Sequence, residues 1–453
     1  MGTEPLPLKL SDGSRIGVIG GGPAGSFFSY FFLEMARRME LQVSLDIYEP
    51  RNFSVAGPGG CNMCGGIVSE SLVQNLASEG ITLPESVVQR TINSYALHMD
   101  VGSVTISTPL QEKRIASVHR GGGPRGQAPR KFGGLDGHLL GLAVKKGARV
   151  VNSRVERVER QDGHLQLIPA GGPPASYDFV AVASGVNSPA RMLEPLHLAY
   201  RPPRTTKTYI CEYCFGRDLI RQEMGTSMHV FLLNLPRLEF AALIPKGDYV
   251  TLCLLGRDLD RQLVQSLLDT REMKEVLPAN WKQPEDYCHC SPKISTDTAV
   301  EPFADRLVFI GDCGTTRLYK DGIGAAYRTA KAAAKTAIFK GIAAEDFRRH
   351  YWPVCRQIHQ DNLIGRLVFA VTRLIQGQGF ARRGIWRMVS KEQQTPGSSL
   401  RMSTILWDTF TGSAPYKSVL RRALHPGFLA RLLWEMLAGF WVANHHKKEA
   451  RAL

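Results

Sequence analysis

Two cysteines stand three positions apart in a glycine-rich stretch, GPGGCNMCGG, at residues 57–66. Cys61 and Cys64 could do three kinds of chemistry. Their thiolates could hold a metal ion, the pair could act as a redox dithiol, or the glycines around them could let the backbone lie flat against a planar cofactor. The sequence on either side has to decide among these interpretations.

A structural metal site would need four ligands, so the pair would have to combine with other side chains. The candidates are Cys211-x-x-Cys214 and Cys288-His289-Cys290, far along the chain. Spacing alone does not bring these groups together, and we expect no metal site. The dithiol stays open as an alternative in which both Cys61 and Cys64 take part.

Residues 15–50 predict a strand, a glycine turn, a long helix and a second strand. The motif residues are Gly20, Gly22, Pro23, Ala24 and Gly25 in the turn and Glu49, Pro50 and Arg51 at the end of the second strand. In such a βαβ unit the glycines let the backbone approach a pyrophosphate, and the acid accepts hydrogen bonds from the ribose. The segment therefore predicts a dinucleotide-binding domain.

A mid-chain stretch, VAVASGVNSPAR at 180–191, contains Ser184 and Gly185. Further along the chain, a stretch has the same character as residues 15–50: an apolar strand ends at Gly311-Asp312 and, after a loop, Gly322-Ile323-Gly324 opens an alanine-rich helix. This second strand–turn–helix unit lies about 290 residues after the first and supports the same kind of ligand.

In chain order these motifs, with the CGG at 64–66, resemble those of the single-nucleotide-fold flavoprotein monooxygenase superfamily and, within it, the geranylgeranyl reductase family. The resemblance spans about residues 12–345 and implies FAD as the cofactor, held by the motif residues named above. It also implies that Gly65 and Gly66 lie beside the flavin, Arg130 at its edge and Asp312 on its ribityl chain. The start of the helix at 322–324 would point its partial positive charge at the flavin ring.

The stretch FAALIPKGDYVTLCLLG at 240–256 is similar to the substrate strand of that family. At the aromatic positions of the family this chain has Phe240, Ala242 and Ile244, and Tyr319 replaces a proline. The resemblance implies that these four residues contact substrate. It further implies hydride transfer from reduced flavin to a carbon–carbon double bond of an isoprenoid lipid, with Cys64 or a water as the proton donor.

Two alternatives remain within the same cofactor chemistry. The protein could pass electrons to a membrane quinone, or it could be a flavin-linked dithiol oxidoreductase that uses Cys61 and Cys64. We find no second complete dinucleotide fingerprint, because HRGGGPRG at 119–126 has no apolar strand before it in our reading of the sequence. The electron donor stays open between NAD(P)H and a ferredoxin-type carrier.

The basic residues are concentrated near the C-terminus. Residues 351–453 hold 15 Lys and Arg against 5 Asp and Glu, which is +10 of the net charge of +15. They alternate with apolar stretches, notably at 426–448, which favours contact with an anionic membrane surface over nucleic acid. With no signal-peptide pattern and few cysteines, we expect a cytoplasmic protein peripheral to the membrane.

The expected fold is α/β, with a Rossmann-like FAD-binding domain, an antiparallel β-sheet substrate domain and a C-terminal helical region. The FAD-binding domain would be built from three segments, the substrate domain from two, and the basic helical region from one. In that order the predicted segments are 1–66, 119–194 and 301–345; 67–118 and 195–300; and 346–453.

Overall fold

The structure is a computed structural model that describes residues 8–61, 64–108, 115–126, 133–186, 190–279, 281–395 and 399–449, without the side chains of 190 and 440–449. The chain forms two compact units. The first unit comprises Met1–Asn62, His119–Thr206 and Lys293–Asn362. The second unit comprises Met63–Val118, Lys207–Pro292 and Leu363–Leu453.

The described residues form twenty strands and fourteen α-helices. The strands are β1 Ser14–Ile19, β2 Val43–Tyr48, β3 Ile67–Val68, β4 Val88–Ile92, β5 Ser94–Met99, β6 Gly102–Ser107, β7 Ile115–Val118, β8 Arg149–Val151, β9 Val155–Gln161, β10 His164–Pro169, β11 Ala175–Tyr177, β12 Phe179–Val182, β13 Thr205–Cys214, β14 Ser227–Phe231, β15 Leu238–Lys246, β16 Tyr249–Gly256, β17 Cys288–Cys290, β18 Lys293–Ser295, β19 Phe303–Ala304 and β20 Leu307–Phe309. The helices are α1 Pro23–Arg38, α2 Glu70–Ser78, α3 Gly134–Lys145, α4 Ala190–Leu193, α5 Arg217–Glu223, α6 Arg261–Leu268, α7 Arg271–Lys274, α8 Gly322–Phe339, α9 Ala344–His350, α10 Trp352–Gly377, α11 Gly379–Gln394, α12 Arg401–Thr411, α13 Tyr416–Ala423 and α14 Pro426–Glu449.

The first unit is built on a six-stranded sheet in the order β19-β20-β12-β1-β2-β8. Its strands from β20 to β8 run parallel, and only β19 is antiparallel to its neighbour. Strands of a parallel sheet covered on both faces are apolar throughout, which accounts for the buried run of β1. A smaller antiparallel sheet, β11-β10-β9, completes the unit.

Helix α1 is held against the central sheet by aromatic side chains. Phe27, Phe28, Phe31 and Phe32 are all at most 2% exposed. Spacings of three and four residues put such side chains on adjoining faces of a helix. One of these faces meets α8, where the Tyr327 ring lies 5.7 Å from that of Phe27 and nearly perpendicular to it. The phenylalanines of the first βαβ unit thus hold α1 in its position.

The second unit contains a sheet in which β17, β13, β16, β15, β14, β5 and β6 follow one another. Neighbours pair antiparallel except β14 and β5, which run parallel with Ser227 opposite Ser94. A parallel pair needs a long crossover, and here more than a hundred residues separate the two strands. The predicted antiparallel sheet therefore includes one parallel pair.

The C-terminal helices pack on this sheet within the second unit. Trp407 of α12 is 1% exposed, its ring lies 4.9 Å from that of Tyr95 and its indole N–H donates to Glu70 Oε1 at 2.9 Å. Helices α11 and α12, with Val419 and Phe428, lie in the stretch that we predicted as a separate region, and they share a hydrophobic core with strands β5, β6, β14 and β15. None of the helices that the structure describes combines the length and apolar content needed to cross a bilayer.

The stretch HRGGGPRG does follow a buried strand, β7, which our reading of the sequence missed. This strand belongs to a three-stranded sheet, β3-β7-β4, and pairs antiparallel with both neighbours. A dinucleotide fold requires a parallel strand in a βαβ crossover. Because β7 pairs antiparallel, the stretch lacks the context of a second dinucleotide fold.

Candidate functional site

The turn between β1 and α1 leaves no room for a side chain at its first and third motif glycines, Gly20 and Gly25. Gly20 has φ +105°, and a Cβ there would lie 2.5 Å from the carbonyl oxygen of Ala183. A Cβ on Gly25 would lie only 1.9 Å from the carbonyl oxygen of Gly20. The first glycine thus serves a tight turn against β12, and the third serves close packing of the helix on that turn.

The N-terminus of α1 is open to a ligand. Gly22 is the N-cap residue, Pro23 is the first helical residue, no side chain caps the helix and the first turn carries no acid. The unpaired N–H groups and the helix dipole of such an N-terminus favour an anion. Among the residues that the structure describes, the only atom within 4 Å of a Cβ built on Gly22 is Nη2 of Arg120, at that limit. This cradle suits a pyrophosphate.

Glu49 lies directly beyond β2, where its carboxylate holds the cradle together. One oxygen accepts the Gly21 N–H at 2.9 Å and the other accepts the Arg51 N–H at 2.9 Å. Burial raises the pKa of Glu49, and the two N–H groups oppose that shift. Because a carboxylate has about four acceptor positions, it can still accept from ribose hydroxyls. Pro50 is exposed between these partners.

The distant glycine-aspartate motif reaches the same place. Gly311 has φ +66°, and a Cβ there would lie 2.7 Å from the Cβ of Ala24 in the first turn of α1. The Gly311 N–H donates to Thr329 Oγ1 of α8 at 3.1 Å. The ends of β1 and β20 are therefore joined through α1 and α8, although nearly 300 residues separate the two motifs.

Asp312 follows in a short 3₁₀ turn, Gly311–Cys313. Burial raises the pKa of its carboxyl group, while a hydrogen bond from Thr316 and the positive charge of Arg120 lower it. A Cβ on Gly322 would lie 3.9 Å from Asp312 Oδ1. Asp312 and the start of α8 are thus close enough to contact one ligand.

The mid-chain motif supplies the third strand end. Ser184 and Gly185 follow β12, and they lie beside the first glycine turn because a Cβ on Gly20 would collide with the carbonyl of Ala183. Gly185 has φ +68°, a conformation that side chains disfavour. The three motifs predicted to hold the cofactor thus converge at the carboxyl edge of one parallel sheet, where ligands of open α/β folds bind.

Arg120 is the residue of this site that our sequence reading missed. Its guanidinium binds Asp136 of α3 in a bidentate ion pair, with Nε–Oδ1 at 2.5 Å and Nη2–Oδ2 at 3.0 Å. This pair holds the arginine beside Gly22 and near Asp312. The three glycines that follow, residues 121–123, pack against residues 55–60. The run GGG was the only feature of the sequence that pointed to this contact. Arg130, which we predicted at the cofactor edge, lies outside the described residues.

The N-terminus of α8 faces a side chain of its own loop. A Cβ on Gly324 would lie 2.1 Å from Asp321 Oδ1, so the carboxylate folds over the first turn. Asp321 Oδ2 also lies 3.3 Å from Nη1 of Arg317 and 3.2 Å from Nη2 of Arg328. Gly322, Ile323 and Gly324 were predicted to contact a flavin. In the structure, the ionic network of Asp321, Arg317 and Arg328 lies at the same end of α8.

Tyr319 lies in the loop between the two halves of the late motif. It has φ +62°, and Asp321 has φ +54°. Two left-handed residues other than glycine within three positions are strained. Asn362 fixes the loop by accepting the Leu318 N–H and donating to the Thr316 carbonyl, both at 2.8 Å. The loop is thus held in one conformation at the edge of the site.

In the second unit, a buried lysine holds the Cys64-Gly65-Gly66 loop. Lys246 is 1% exposed, its ammonium donates to the Cys64 carbonyl at 3.3 Å and it lies 3.7 Å from Glu212 Oε1. The Gly66 N–H in turn donates to the Cys64 sulfur at 3.3 Å. Lys246 opens the Lys-Gly-Asp sequence of the predicted substrate strand, so this strand fixes the loop.

The glycines of that loop lie against two sheets of the second unit, Gly65 against β15 and β16 and Gly66 against β7. A Cβ on Gly65 would lie 3.2 Å from the Cys253 sulfur and 3.4 Å from Cδ1 of Ile244. Gly66 has φ +68°, and a Cβ there would lie 1.9 Å from the Val118 carbonyl oxygen. Of the four predicted substrate residues, the structure thus brings Ile244 to the Cys64 loop.

All three predicted substrate residues of β15, Phe240, Ala242 and Ile244, belong to a packed core. Ala242 is 1% and Ile244 is 4% exposed, and Phe240 packs on the same cluster, with its ring 6.3 Å from that of Phe410. Alternate residues of a strand share one face. Helices α11 and α12 cover this face, so these residues of β15 are packed as ordinary core residues are.

The two cysteines of the opening motif fall in different units. Cys61 belongs to the first unit, where its N–H donates to the Gly57 carbonyl at 2.8 Å. Cys64 belongs to the second unit. The proposed dithiol, and a catalytic role for either thiol, stay predictions.

The other cysteines are nearer to one another than their spacing indicated. Cys211 of β13 stands opposite His289 of β17, and Glu212 stands opposite Cys288. Cys211 is fully buried, which raises the pKa of its thiol. Across the part of the chain that the structure describes, no three His, Cys, Asp or Glu residues are arranged to hold a metal ion.

No family model and no curated protein sequence matches the chain. Solved structures do. A variant of the halogenase PltM in complex with FAD matches with a TM-score of 0.59 at 12% identity, over 97% of both chains. A flavoprotein/dehydrogenase from Cytophaga hutchinsonii matches with 0.59 at 13% identity, over 88% of this chain and 92% of that chain.

The p-nitrophenol 4-monooxygenase PnpA from Pseudomonas putida DLL-E4 matches with 0.56 at 13% identity, over 90% of this chain and 99% of that chain. Identities this low establish the fold alone. The geranylgeranyl reductase family remains a resemblance of motifs. The predicted fold class is confirmed: the chain has the Rossmann-like fold of FAD-dependent flavoproteins.

Proposed function

We propose that this protein is an FAD-dependent oxidoreductase. The observation that carries the proposal is the convergence of Gly20, Ser184 and Gly311 at one edge of the parallel sheet, beside the uncapped start of α1. FAD is bound in one of the structural neighbours. When bound, FAD would supply two-electron redox chemistry at its isoalloxazine ring.

The residues of the first unit would hold the cofactor by its polar parts. The α1 N-terminus would bind the pyrophosphate, Glu49 the adenosine ribose and Asp312 the ribityl chain. Arg120, oriented by the Asp136 carboxylate, adds a positive charge near Gly22 of the first motif and near Asp312. A guanidinium there favours negative charge on any group that binds next to it.

For the substrate, we propose an isoprenoid lipid whose carbon–carbon double bonds are reduced. This finer proposal is supported by the Cys64-Gly65-Gly66 loop and the Lys-Gly-Asp strand, which resemble the geranylgeranyl reductase family and meet at Lys246. Each bond reduced takes up two electrons and two protons. A carrier of the NAD(P)H or ferredoxin type would deliver the electrons, and Cys64 or a bound water one of the protons.

A second candidate is an oxygen-dependent monooxygenase. It is favoured by the neighbours, among which are a p-nitrophenol 4-monooxygenase and a brominase described as flavin-dependent. Both reactions use the same cofactor site and differ in the acceptor of the electrons. Fold alone does not choose between them.

The test is to reconstitute the protein with FAD, reduce it without oxygen and add a geranylgeranyl lipid. Return of the absorbance band of oxidised flavin, together with a product heavier by two hydrogens for each double bond reduced, would support the reductase. A parallel reaction with a short-chain quinone tests electron transfer, and one with labelled oxygen tests the monooxygenase. A protein that takes up no FAD would refute the whole proposal.

A further inference from the structure

A basic cleft lies among the C-terminal helices of the second unit. Its volume is about 520 Å³. Three arginines, a histidine and two hydroxyl groups line it, together with one leucine: Ser399, Leu400, Arg401, Thr404, Arg421, Arg422 and His425. The cleft is built by α12, α13 and the residues that precede α14, far in sequence from the motifs of the first unit.

The positive charge of this cleft is only partly neutralised. Arg422 binds the Asp408 carboxylate. Arg401 donates to Ser399 Oγ at 3.2 Å and to His425 Nδ1 at 3.1 Å, neither of which is an acid. Arg421 is exposed and forms no ion pair with the described residues. Two guanidinium charges therefore remain for an anion.

The start of α14 adds to this attraction. The helix begins at Pro426, and its first turn carries no acid. A Cβ on Gly427 would lie 3.5 Å from His425 Nδ1 and 3.7 Å from Arg401 Nη1. The N-terminal end of a 24-residue helix thus adjoins the guanidinium of Arg401. Both favour the negative charge of a phosphate.

An exposed apolar stripe leads away from the cleft along α14. Leu429, Leu433 and Leu437 follow His425 at intervals of four residues, so they continue along the same side of the helix. Leu433 is 60%, Leu437 58% and the adjacent Trp434 69% exposed. Isolated exposed leucines are ordinary, but a contiguous row with a tryptophan marks a contact surface.

The opposite side of α14 is packed. Glu435 is 3% exposed and pairs with Arg387 at 3.1 Å and Lys391 at 2.5 Å on α11. The acid that interrupts the apolar run in the sequence is therefore turned inward. The side presented to solvent keeps its leucines and Trp434 without a neighbouring acid of α14.

We propose that this surface docks on a membrane, with the cleft holding the phosphate of an anionic phospholipid headgroup. Leu429, Leu433, Trp434 and Leu437 enter the apolar side of the interface. Cationic side chains near an anionic surface, with leucine and tryptophan in the boundary, are the features of an interfacial helix. A soluble phosphate would fill the cleft but leave the stripe without a function. The proposal is independent of the flavin site.

The test is co-sedimentation of the full chain with vesicles of phosphatidylcholine, alone or mixed with phosphatidylglycerol. We expect the double variant Arg401→Gln/Arg421→Gln to lose affinity for the anionic vesicles on the order of 30-fold, from about 1 kcal/mol for each basic residue. The control Arg257→Gln/Arg261→Gln removes the same charge from exposed arginines outside the cleft. It should change the affinity much less.

The apolar stripe is tested by Leu433→Ser/Leu437→Ser, which should weaken binding to both kinds of vesicle. Phe339→Ser, at a 44% exposed phenylalanine of the first unit, is its control. Vesicles should shift the tryptophan emission to the blue, and Trp434→Phe should abolish that shift. Unchanged binding by the cleft variant would overturn the proposal. So would binding of glycerol 3-phosphate by a protein that ignores vesicles.

Discussion

The two units place their chemically important residues by different means. In the first unit, Gly20 and Gly25 contact each other within a single turn, and the parallel sheet brings the ends of β1, β12 and β20 together. In the second unit, Lys246 reaches the Cys64 carbonyl across 182 residues of sequence. A local motif carries its own geometry, whereas such a pair depends on the whole sheet. Variants in the two units should therefore fail in different ways.

The largest effect should come from Gly25→Ala. Its Cβ would lie 1.9 Å from a backbone oxygen that cannot move without opening the turn. We expect FAD affinity to fall on the order of 100-fold or more, as strain of this kind costs a few kcal/mol. Titration with FAD, followed by flavin fluorescence, measures the change. Hydrogen exchange in the second unit should stay the same.

The matched control is Gly141→Ala in α3. A Cβ at this position meets nothing within 4 Å, and alanine in a helix is about 0.5–1 kcal/mol more favourable than glycine. This variant should bind FAD normally and be slightly more stable. If Gly25→Ala bound FAD as well as Gly141→Ala, the cradle described for the first unit would not be the cofactor site.

Acid should act first on the second unit. His98 Nε2 and His229 Nδ1 lie 2.9 Å apart in its sheet, and His98 Nδ1 lies 2.8 Å from Ser103 Oγ. Burial lowers the pKa of His98 to about 4 and that of His229 to about 3. Both imidazoles are therefore neutral in the folded protein until the pH falls to these values.

Unfolded imidazoles bind protons below about pH 6.5, so the free energy of unfolding should fall as the pH drops from there to about 4. The expected loss is about 1.4 kcal/mol per pH unit for each imidazole. Above pH 6.5 the pair should add no pH dependence. In the first unit, burial raises the pKa of Asp46, but Arg149 and the hydrogen bond from Tyr177 together lower it by more. The stabilising contribution of Asp46 is therefore lost only below the ordinary range of a carboxyl group.

Hydrogen exchange at pH 7 and pH 4.5 measures this difference for each unit. In His98→Leu/His229→Leu the second unit should be much less sensitive to acid, whereas His289→Gln, at an exposed imidazole, should behave like the parent. Equal stability of the second unit at both pH values would show that the pair does not titrate in this way.

The sequence predicted the parts of the site whose geometry is local. The glycine turn, Glu49 and the Gly311-Asp312 motif follow from the order of strand, turn and helix. Arg120 could not be found in this way, because its position depends on Asp136 in α3. Nor could Asp321 at the start of α8 be foreseen, since its orientation depends on Arg317 and Arg328.

A change at Lys246 tests the non-local contact directly. Lys246→Met removes the donor to the Cys64 carbonyl and leaves Glu212 with Thr251, which donates to it at 2.7 Å. Breaking a buried ion pair on one side costs about 3 kcal/mol. We expect a loss of that size in the second unit, with faster hydrogen exchange at 64–66.

The double variant Lys246→Met/Glu212→Gln removes both charges. It should recover part of the stability, because the uncompensated carboxylate causes much of the loss. FAD binding by the first unit should survive in both variants. A double variant no more stable than Lys246→Met alone would mean that the lysine acts by packing and not by its charge.

The smallest effect concerns a type of helix-ending turn that occurs in both units, after α1 in the first and after α2 in the second. Helices α1 and α2 end in the same hydrogen-bonding pattern, in which Leu41 N–H donates to the Ala36 carbonyl and Ile81 N–H to that of Leu76. This pattern needs a left-handed residue after the C-cap. The first unit has Glu40 there, at φ +57°, and the second has Gly80, at φ +74°.

Glu40→Gly should therefore stabilise the first unit by about 0.5–1 kcal/mol, because glycine adopts this conformation without strain. Gly80→Ala should destabilise the second unit by about 1 kcal/mol for the converse reason. Glu40 is exposed, so its removal sacrifices little packing. Urea unfolding followed by hydrogen exchange in each unit measures both changes. The two changes in the free energy of unfolding should have opposite signs, because the two turns differ only in whether their residue suits the left-handed conformation. Destabilisation by both variants would mean that the Glu40 side chain stabilises the first unit by more than the strain it causes.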